Sequence, residues 1–218
     1  MQGQLLFTDE CRSFPPDDLP LLTARLRLPQ WEGTGGRPFN RYYAAYGRAF
    51  FSYCQSVLLP QAQEALAAAR ENGGALPEWQ IGLDTVVTLH TDGLLSLYTD
   101  TVERCSARRM VLRRSETWDL TDASLVPLSR FFPEGRRWRR HLLSAAAAQI
   151  RLQQQQGVAL YHPDWQRRLR TAFNSDRFYL TEQGLFLFYQ MYAIAPAAEG
   201  IPAFFLPWNE DGGPVLPE

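Results

Sequence analysis

Residues 178–208, FYLTEQGLFLFYQMYAIAPAAEGIPAFFLPW, are the stretch that most clearly determines the fold of this chain. The stretch is rich in apolar and aromatic residues, and Glu182 and Glu199 are its only charged ones. This pattern predicts a hairpin, a loop marked by prolines and a closing strand. No catalytic motif occurs in the stretch, so it predicts local structure without indicating chemistry.

Upstream, the first half of the chain predicts one strand followed by one long helix. Apolar residues alternate with polar ones over residues 22–28, which indicates a half-buried strand. Asn40 is placed to cap a helix that Pro60 kinks and Gly73-Gly74 ends. Aromatic residues at helical spacing indicate that one face of this helix is core: Phe39, Tyr43, Tyr46, Phe50, Tyr53 and Val57.

The second half adds strands first and helices afterwards. A period of two over residues 79–118, with a turn at 90–93, predicts three antiparallel strands. A short helix is expected near residues 126–132, and a second long helix from Trp138 to Gln156, stopped by Gly157. We therefore predict an α+β fold, in which an antiparallel sheet packs with two long helices.

The 218 residues suit one large domain or two small lobes. We expect a loose lead-in over residues 1–20, a small strand–helix lobe over 21–76, an α+β domain over 77–208 and a flexible tail over 209–218. No signal peptide and no apolar run of about 18 residues is found, so no membrane span is predicted. Three widely separated cysteines argue against a disulfide framework, which favours a reducing, cytoplasmic setting.

Motifs for common chemistries are missing from the sequence. There is no P-loop, no G-x-G-x-x-G and no G-x-S-x-G, so nucleotide, dinucleotide and acyl-transfer chemistry have no support. The histidines His90, His141 and His162 lack the spacing of a metal site. Cys105 lies among arginines that would stabilise a thiolate, but no base can be assigned to it. We predict no enzyme, no cofactor and no metal.

Charge is distributed unevenly along the chain, although the net charge is only −1. All 22 basic residues are arginines, and 15 of them lie in residues 104–177 against 6 acidic residues. Both flanking segments are acidic. Arginine binds carboxylates and phosphates through two parallel hydrogen bonds, which lysine does not. The central block includes five adjacent pairs: Arg108-Arg109, Arg113-Arg114, Arg136-Arg137, Arg139-Arg140 and Arg167-Arg168.

Three roles are open for this arginine block. The arginines can pair with the acidic flanks inside the fold, bind an acidic protein partner, or bind nucleic acid through phosphate contacts. Adjacent arginines on a strand point to opposite faces, so the whole block cannot line one surface. The candidate binding residues are Arg108, Arg109, Arg113, Arg136 and Arg140.

Several positions of the closing stretch form a pattern: Phe178-Tyr179-Leu180-Thr181, Gly184-Leu185, Tyr189, Tyr192-Ala193-Ile194-Ala195-Pro196 and Gly200. The pattern resembles a bacterial domain of unknown function that forms the carboxy-terminal part of RsiV-type anti-sigma ectodomains and accompanies PdaC-type peptidoglycan deacetylases. Residues 94–97, 118–120 and 128–132 resemble further segments of that domain. Residues 22–28 and the helix after Asn40 are similar to the small domain that usually precedes it.

One departure limits what the resemblance implies. The family carries Gly-Gly-Ala-His after its central strand, where this chain has Thr101-Val102-Glu103-Arg104-Cys105-Ser106-Ala107-Arg108. The role of that motif therefore does not transfer. The resemblance implies a bacterial, non-enzymatic recognition or regulatory module with an RsiV-like architecture, whose best understood relatives bind lysozyme. We expect a protein partner for this chain rather than nucleic acid, with binding of an anionic polymer or nucleic acid by residues 104–177 as the alternative.

Overall fold

A computed structural model describes residues 1–15, 20–74, 78–105, 108–133, 137–209 and 213–216. The chain forms two compact units, one of Met1–Thr85 with Thr99–Met110 and the other of Val86–Tyr98 with Val111–Glu218. The units are not contiguous in sequence, unlike the lobes predicted to meet at residues 76 and 77. Helices and mostly antiparallel strands are both present, as the predicted α+β class requires.

The described elements have the following bounds. The helices are α1 Arg37–Tyr53, α2 Leu59–Glu71, α3 Trp138–Gln156 and α4 Trp165–Thr171. The strands are β1 Gln2–Phe14, β2 Leu22–Thr34, β3 Trp79–His90, β4 Leu94–Cys105, β5 Arg108–Asp119, β6 Ser124–Leu125, β7 Phe178–Leu180, β8 Gly184–Phe188 and β9 Ala203–Pro207. Strands β1 to β6 follow one another in chain order in one sheet, and β7 to β9 form a second sheet.

The first unit contains a parallel strand pair that the sequence did not predict. Residues 22–27 of β2 pair with residues 79–84 of β3 in parallel, starting with Leu22 opposite Trp79. A parallel pair needs a long crossover, and helices α1 and α2 provide it between the two strands. The prediction of a purely antiparallel sheet is therefore wrong at this pair.

Strand β1 occupies residues for which a loose lead-in was predicted. It pairs with β2 in antiparallel register along its whole length, from Gln2 opposite Thr34 to Phe14 opposite Leu22. Most of its side chains are exposed, so the strand is held by backbone hydrogen bonds rather than by burial. A strand of this kind lacks the apolar alternation from which strands are predicted.

The aromatic stripe of α1 is buried at its start and exposed at its end. Phe39, Tyr43 and Phe50 are buried, whereas Tyr53 is 38% exposed and Val57 is 36% exposed. A π-helical turn over Cys54–Leu58 joins α1 to α2 directly before Pro60. Tyr53 lies before this turn and Val57 lies within it, and the core receives Cys54 and Leu58 instead.

Asn40 does not cap α1, which begins after Gly36 with Pro38 in its first turn. Instead, the Asn40 side chain holds the end of strand β2. Its Oδ1 accepts from the Trp31 backbone N–H at 2.7 Å, and its Nδ2 donates to the Trp31 carbonyl at 2.9 Å. The amide thus satisfies both backbone groups of Trp31, and the prediction of a capping role is wrong.

The second unit follows the sequence closely around α3 and the closing strands. Helix α3 begins and ends as predicted, with Gly157 in the left-handed conformation at its carboxyl end. Strands β7, β8 and β9 pair in antiparallel register within residues 178–208. Leu185 and Leu187 of β8, and Tyr189 directly after it, join a core shared with Leu142 and Ile150 of α3.

The tail is packed where the structure describes it. Gly213 and Pro214 are buried, and the Val215 backbone N–H donates to the Phe131 carbonyl at 2.8 Å. Residues 213–216, which fall in the tail predicted over 209–218, are thus packed in this structure. The remaining predicted tail residues, apart from Asn209, lie outside the described part of the chain.

Candidate functional site

Helices α3 and α4 border a cavity of about 840 Å³ within the second unit, which we call the α3–α4 groove. Most of its lining residues are arginines or apolar side chains, and none is acidic. The lining residues are Arg137, Trp138, Arg139, Arg140, Leu143, Ser144, Ala147, Arg151, Trp165, Gln166, Leu169 and Arg170.

The groove arises from a row of residues along one face of α3. Arg140, Ser144, Ala147 and Arg151 follow one another at spacings of four, three and four, so they share a face of the helix. The two middle side chains are small and leave space above the helix. The two arginines at the ends lie eleven residues apart, which is about 16 Å along a helix at 1.5 Å per residue.

The apolar floor of the groove consists of Trp138, Leu143, Ala147, Trp165 and Leu169. Trp165 is 6% exposed and Leu169 is 3% exposed. The Trp138 ring stacks on Phe132, with centroids 5.9 Å apart, and also contacts Phe173 at 6.3 Å. Because the tryptophans are packed into the core, the floor is a fixed surface.

The arginines of the groove have no acidic partner in the described part of the chain. None of Arg137, Arg139, Arg140, Arg151 and Arg170 forms an ion pair with a carboxylate there. Arg170 donates from Nε to the Gln166 carbonyl at 3.2 Å, and Arg139 lies over the Phe173 ring at 4.9 Å. The groove therefore carries a concentrated positive charge.

Two neighbouring arginines on α4, unlike the arginines of the groove, have an acidic partner among the described residues. Arg167 and Arg168 both bind the carboxylate of Asp164, the latter through Nε at 2.6 Å. The hydrogen bonds from Arg168 and Arg167 hold the pKa of Asp164 below its ordinary value. These two arginines do not line the groove. In the described structure α4 therefore carries Arg167 and Arg168, which are paired with a carboxylate, next to Arg170, which is not.

Helix α3 also lacks the acidic residues that usually stabilise a helix start. No acidic residue lies in its first turn, which instead contains Arg139 and Arg140, and its amino end has no side-chain cap. The positive end of the helix dipole favours anions, so arginines at this position are unfavourable for the isolated helix. The arginines in the first turn of α3 thus add positive charge to the groove and lower the stability of the helix.

The structure separates the arginines predicted to form the binding site. Arg108 and Arg109 are exposed at the start of β5 and belong to the first unit. Arg113 is half-buried in the second unit, with its guanidinium 3.7 Å from the Tyr98 ring centre. Arg140 lines the groove, and Arg136 lies outside the described residues. Of the predicted residues that the structure describes, Arg140 alone reaches the groove.

Four groove arginines were not among the predicted binding residues: Arg137, Arg139, Arg151 and Arg170. Arg151 and Arg170 belong to no adjacent arginine pair. A usable signal was present in the spacing of α3. Two arginines lie eleven residues apart on one helix face, and the residues between them on that face are small. This pattern indicates a groove with a positive charge at each end. The predicted α3 helix would have been enough to place Arg140, Ser144, Ala147 and Arg151 in one row.

The aromatic residues of the closing stretch are mainly core residues. Tyr189 is 1% exposed, and its hydroxyl donates to the Leu169 carbonyl at 2.7 Å. Burial raises the pKa of the Tyr189 hydroxyl well above its ordinary value. Trp208 donates from its indole N–H to the Thr181 carbonyl at 3.1 Å. Tyr192 is 49% exposed.

Thiol and metal chemistry gain no support from the described residues. Cys54 is fully buried, and burial together with the charge of Glu103 raises the pKa of its thiol to about 11. Cys105 is half-buried at the end of β4. Within the described ranges, no three His, Cys, Asp or Glu side chains gather as a metal site would require.

A second cavity, of about 650 Å³, lies in the first unit between α1 and strands β1 and β2. Its lining contains Glu10 beside two arginines, Arg12 and Arg48, and Arg12 pairs with Glu10 at 2.6 Å and lies 3.9 Å from the Phe51 ring centre. The α3–α4 groove is therefore the stronger candidate for a charged ligand. Among the described residues, no helix is long and apolar enough to cross a membrane.

Comparison with known proteins places this groove in a region of recognised sequence. Residues 129–209 match the family described as a protein of unknown function (DUF3298), and the groove residues lie within this range. No curated protein sequence matches the chain at a significant level.

Two solved structures have a similar fold. One is a DUF3298 family member from Bacteroides fragilis NCTC 9343, with a TM-score of 0.63 and 17% sequence identity over 94% of this chain and 91% of that chain. The other is a DUF3298 family protein from Pseudomonas aeruginosa PAO1, with a TM-score of 0.58 and 16% identity over 95% of this chain and 91% of that chain. At these identities the likeness concerns the fold alone.

Proposed function

We propose that this chain is a bacterial, non-enzymatic recognition module of RsiV-like architecture that binds an anionic ligand in the α3–α4 groove. The observation that carries the proposal is the set of groove arginines without acidic partners in the described structure. All five groove arginines are exposed, so an anion can reach their guanidinium groups and accept charge-assisted hydrogen bonds from them. An anionic ligand would supply the charge that Asp164 supplies to Arg167 and Arg168.

The regulatory part of the proposal rests on the resemblance of residues 178–208 to RsiV-type ectodomains. Support for a non-catalytic role comes from the chemistry of the groove. Its lining offers guanidinium groups, an amide and one hydroxyl, whereas general acid–base catalysis at neutral pH needs a group with a suitable pKa. Arginine remains protonated and acts in binding instead.

The test is direct titration of the protein with two labelled polyanions, a heparin oligosaccharide and a short polyglutamate peptide. We expect binding that weakens steeply with salt, since each charge-assisted contact is screened. The double variant Arg140→Ala/Arg151→Ala should lower the affinity at least about tenfold, which corresponds to about 1.4 kcal/mol.

Two controls remove the same number of charges elsewhere. Arg167→Ala/Arg168→Ala changes the ion-paired arginines of α4, and Arg108→Ala/Arg109→Ala changes exposed arginines of the first unit. Both controls should bind within about twofold of the parent protein. Equal losses in all three variants would mean that general charge, not the groove, attracts the ligand. Hydrolysis or deacetylation of peptidoglycan by the purified protein would overturn the non-enzymatic assignment.

A further inference from the structure

We infer that the ligand of the α3–α4 groove is an acidic amphipathic peptide segment, with apolar side chains on the floor and carboxylates on the arginines. The inference rests on the proposed function and names the class of its ligand. It follows from two properties that occur together in one cavity, the apolar floor and the arginines that have no carboxylate partner in the described part of the chain.

The floor argues against a ligand that is charged throughout. Trp138, Leu143 and Ala147 are partly exposed and present apolar surface between the arginines, and the buried Trp165 and Leu169 complete this lining. A polysaccharide or polyglutamate would contact the arginines and leave this surface covered only by water. Aliphatic side chains remove the same surface from water, which is favourable in proportion to the apolar area buried.

The aromatic residues argue against a nucleobase ligand. Binding of single-stranded nucleic acid commonly uses an open aromatic face on which a base stacks. Trp165 is only 6% exposed, and Trp138 stacks on Phe132 with an angle of 25° between the ring planes. The tryptophans therefore supply a packed apolar surface rather than open stacking platforms.

The dimensions suit a short peptide. The arginines at the ends of the α3 row lie about 16 Å apart, which matches about three turns of helix. Peptide helices commonly bind in hydrophobic grooves through apolar side chains repeated at spacings of three and four residues. Carboxylates in the outer turns of such a helix would reach Arg140 at one end and Arg151 at the other. Arginine binds carboxylates with two parallel hydrogen bonds.

The experiment compares two synthetic peptides of about 14 residues and equal charge. One carries leucines at i, i+4 and i+7 with glutamates in both outer turns, and in the other each leucine is replaced by serine. We expect the leucine peptide to bind the full-length protein at least about tenfold more tightly, because one buried leucine alone accounts for such a factor.

Two groove-filling variants assign this preference to the floor. Ala147→Leu and Ser144→Leu each place a larger side chain in the middle of the α3 row without changing charge. Ser144 is exposed, so its replacement keeps the test valid if Ala147→Leu unfolds the protein. Each folded variant, checked by circular dichroism, should lose the tenfold preference for the leucine peptide and bind the serine peptide within about twofold of the parent.

The other outcomes separate the inference from the proposed function. Equal binding of both peptides, still weakened by Arg140→Ala/Arg151→Ala, would overturn the peptide inference and leave the anion-binding groove intact. A short single-stranded oligonucleotide that bound more tightly than the leucine peptide, and was blocked by Ser144→Leu, would overturn it in favour of nucleic acid. If no probe showed binding that depends on Arg140 and Arg151, both the peptide inference and the proposed function would be overturned.

Discussion

The guanidinium of Arg113 lies 3.7 Å from the centre of the Tyr98 ring, on the face that a cation prefers. The ring centres of Tyr179 and Phe188 are each 5.8 Å away, so one arginine contacts three aromatic residues. The Arg113 backbone N–H also donates to the Gln190 side chain at 3.0 Å. Arg113 thus stabilises the second unit, although it was predicted as a binding residue.

This contact predicts a stability effect for Arg113→Met, which keeps an unbranched side chain but loses the charge. We expect the free energy of unfolding to fall by about 1–2 kcal/mol, measured by urea denaturation. Arg109→Met, at an exposed position of the same strand, is the control and should stay within about 0.5 kcal/mol. Equal values for the two variants would contradict the structural role of Arg113.

Gly184 allows strands β8 and β9 to approach each other closely. A Cβ atom at this position would lie 2.2 Å from the Leu206 carbonyl oxygen and 2.9 Å from the Pro207 Cα. We expect Gly184→Ala to destabilise the protein by about 1–3 kcal/mol, because backbone atoms must move. Gly82→Ala in β3 is the matched control, since no atom lies within 4 Å of its Cβ position. Thermal unfolding of both variants measures the difference.

Asn40 satisfies both backbone groups of Trp31, which predicts a destabilising effect of two substitutions. Asn40→Ala removes both hydrogen bonds and should cost about 1–3 kcal/mol. Asn40→Asp keeps the acceptor for the Trp31 N–H but turns a second oxygen toward the Trp31 carbonyl, so its cost should be at least as large. Urea denaturation monitored by tryptophan fluorescence would measure both, and a neutral Asn40→Ala would contradict the assignment.

Arg140 is expected to favour binding at the expense of stability. Arg140→Glu places an acidic residue in the first turn of α3, where the helix dipole favours negative charge. We expect the free energy of unfolding to rise by about 0.3–1 kcal/mol at low salt, while polyglutamate binding falls at least tenfold. A variant that loses both stability and binding would indicate that Arg140 supports the fold instead.

The buried thiol of Cys54 predicts unusual reactivity within the native protein. Burial raises its pKa to about 11 from an ordinary value of 9.0, which lowers the thiolate fraction at pH 8 about a hundredfold. Iodoacetamide should therefore modify exposed Cys11 long before Cys54, as peptide mass spectrometry would show. In urea, the two cysteines should react at similar rates.

The same pKa fixes the sign of a pH dependence at alkaline pH. Well below pH 9 the thiol is protonated in the folded and the unfolded chain, so its contribution to stability is constant. Between pH 9 and about pH 11 the unfolded chain loses this proton first, and the free energy of unfolding falls. Cys54→Ala should show a shallower decline over that range, and an unchanged slope would contradict the raised pKa.

Predictions from the sequence were most accurate for elements in which buried residues recur at one regular spacing. Helix α3 begins at Trp138 and ends before Gly157 as predicted, because its apolar face and its glycine stop act locally. Strand β1 was missed because backbone pairing holds it and no apolar pattern marks it. The parallel β2–β3 pair was missed because two distant segments must meet, which no local pattern shows.

The sequence predicted the region of the candidate site and left its role open. The excess of arginine in residues 104–177 was compatible with pairing inside the fold, an acidic protein partner or nucleic acid, and the groove lies in that block. Adjacent pairs were an incomplete guide, since Arg139 and Arg140 line the groove whereas Arg167 and Arg168 both pair with Asp164. Arg140 and Arg151 line the groove because they lie on the same face of α3 as the small residues Ser144 and Ala147.

The interleaved sequence of the two units restricts how this protein can be cut or grafted. The second unit takes Val86–Tyr98 from the middle of the chain, and the Ser96 hydroxyl there accepts a hydrogen bond from the Leu180 backbone N–H at 2.9 Å. An expression fragment limited to residues 129–209 would lose that partner and the buried side chains of Leu95 and Leu97. The recognised sequence segment is therefore shorter than the smallest piece expected to fold, and shuffling it alone between proteins should give insoluble product.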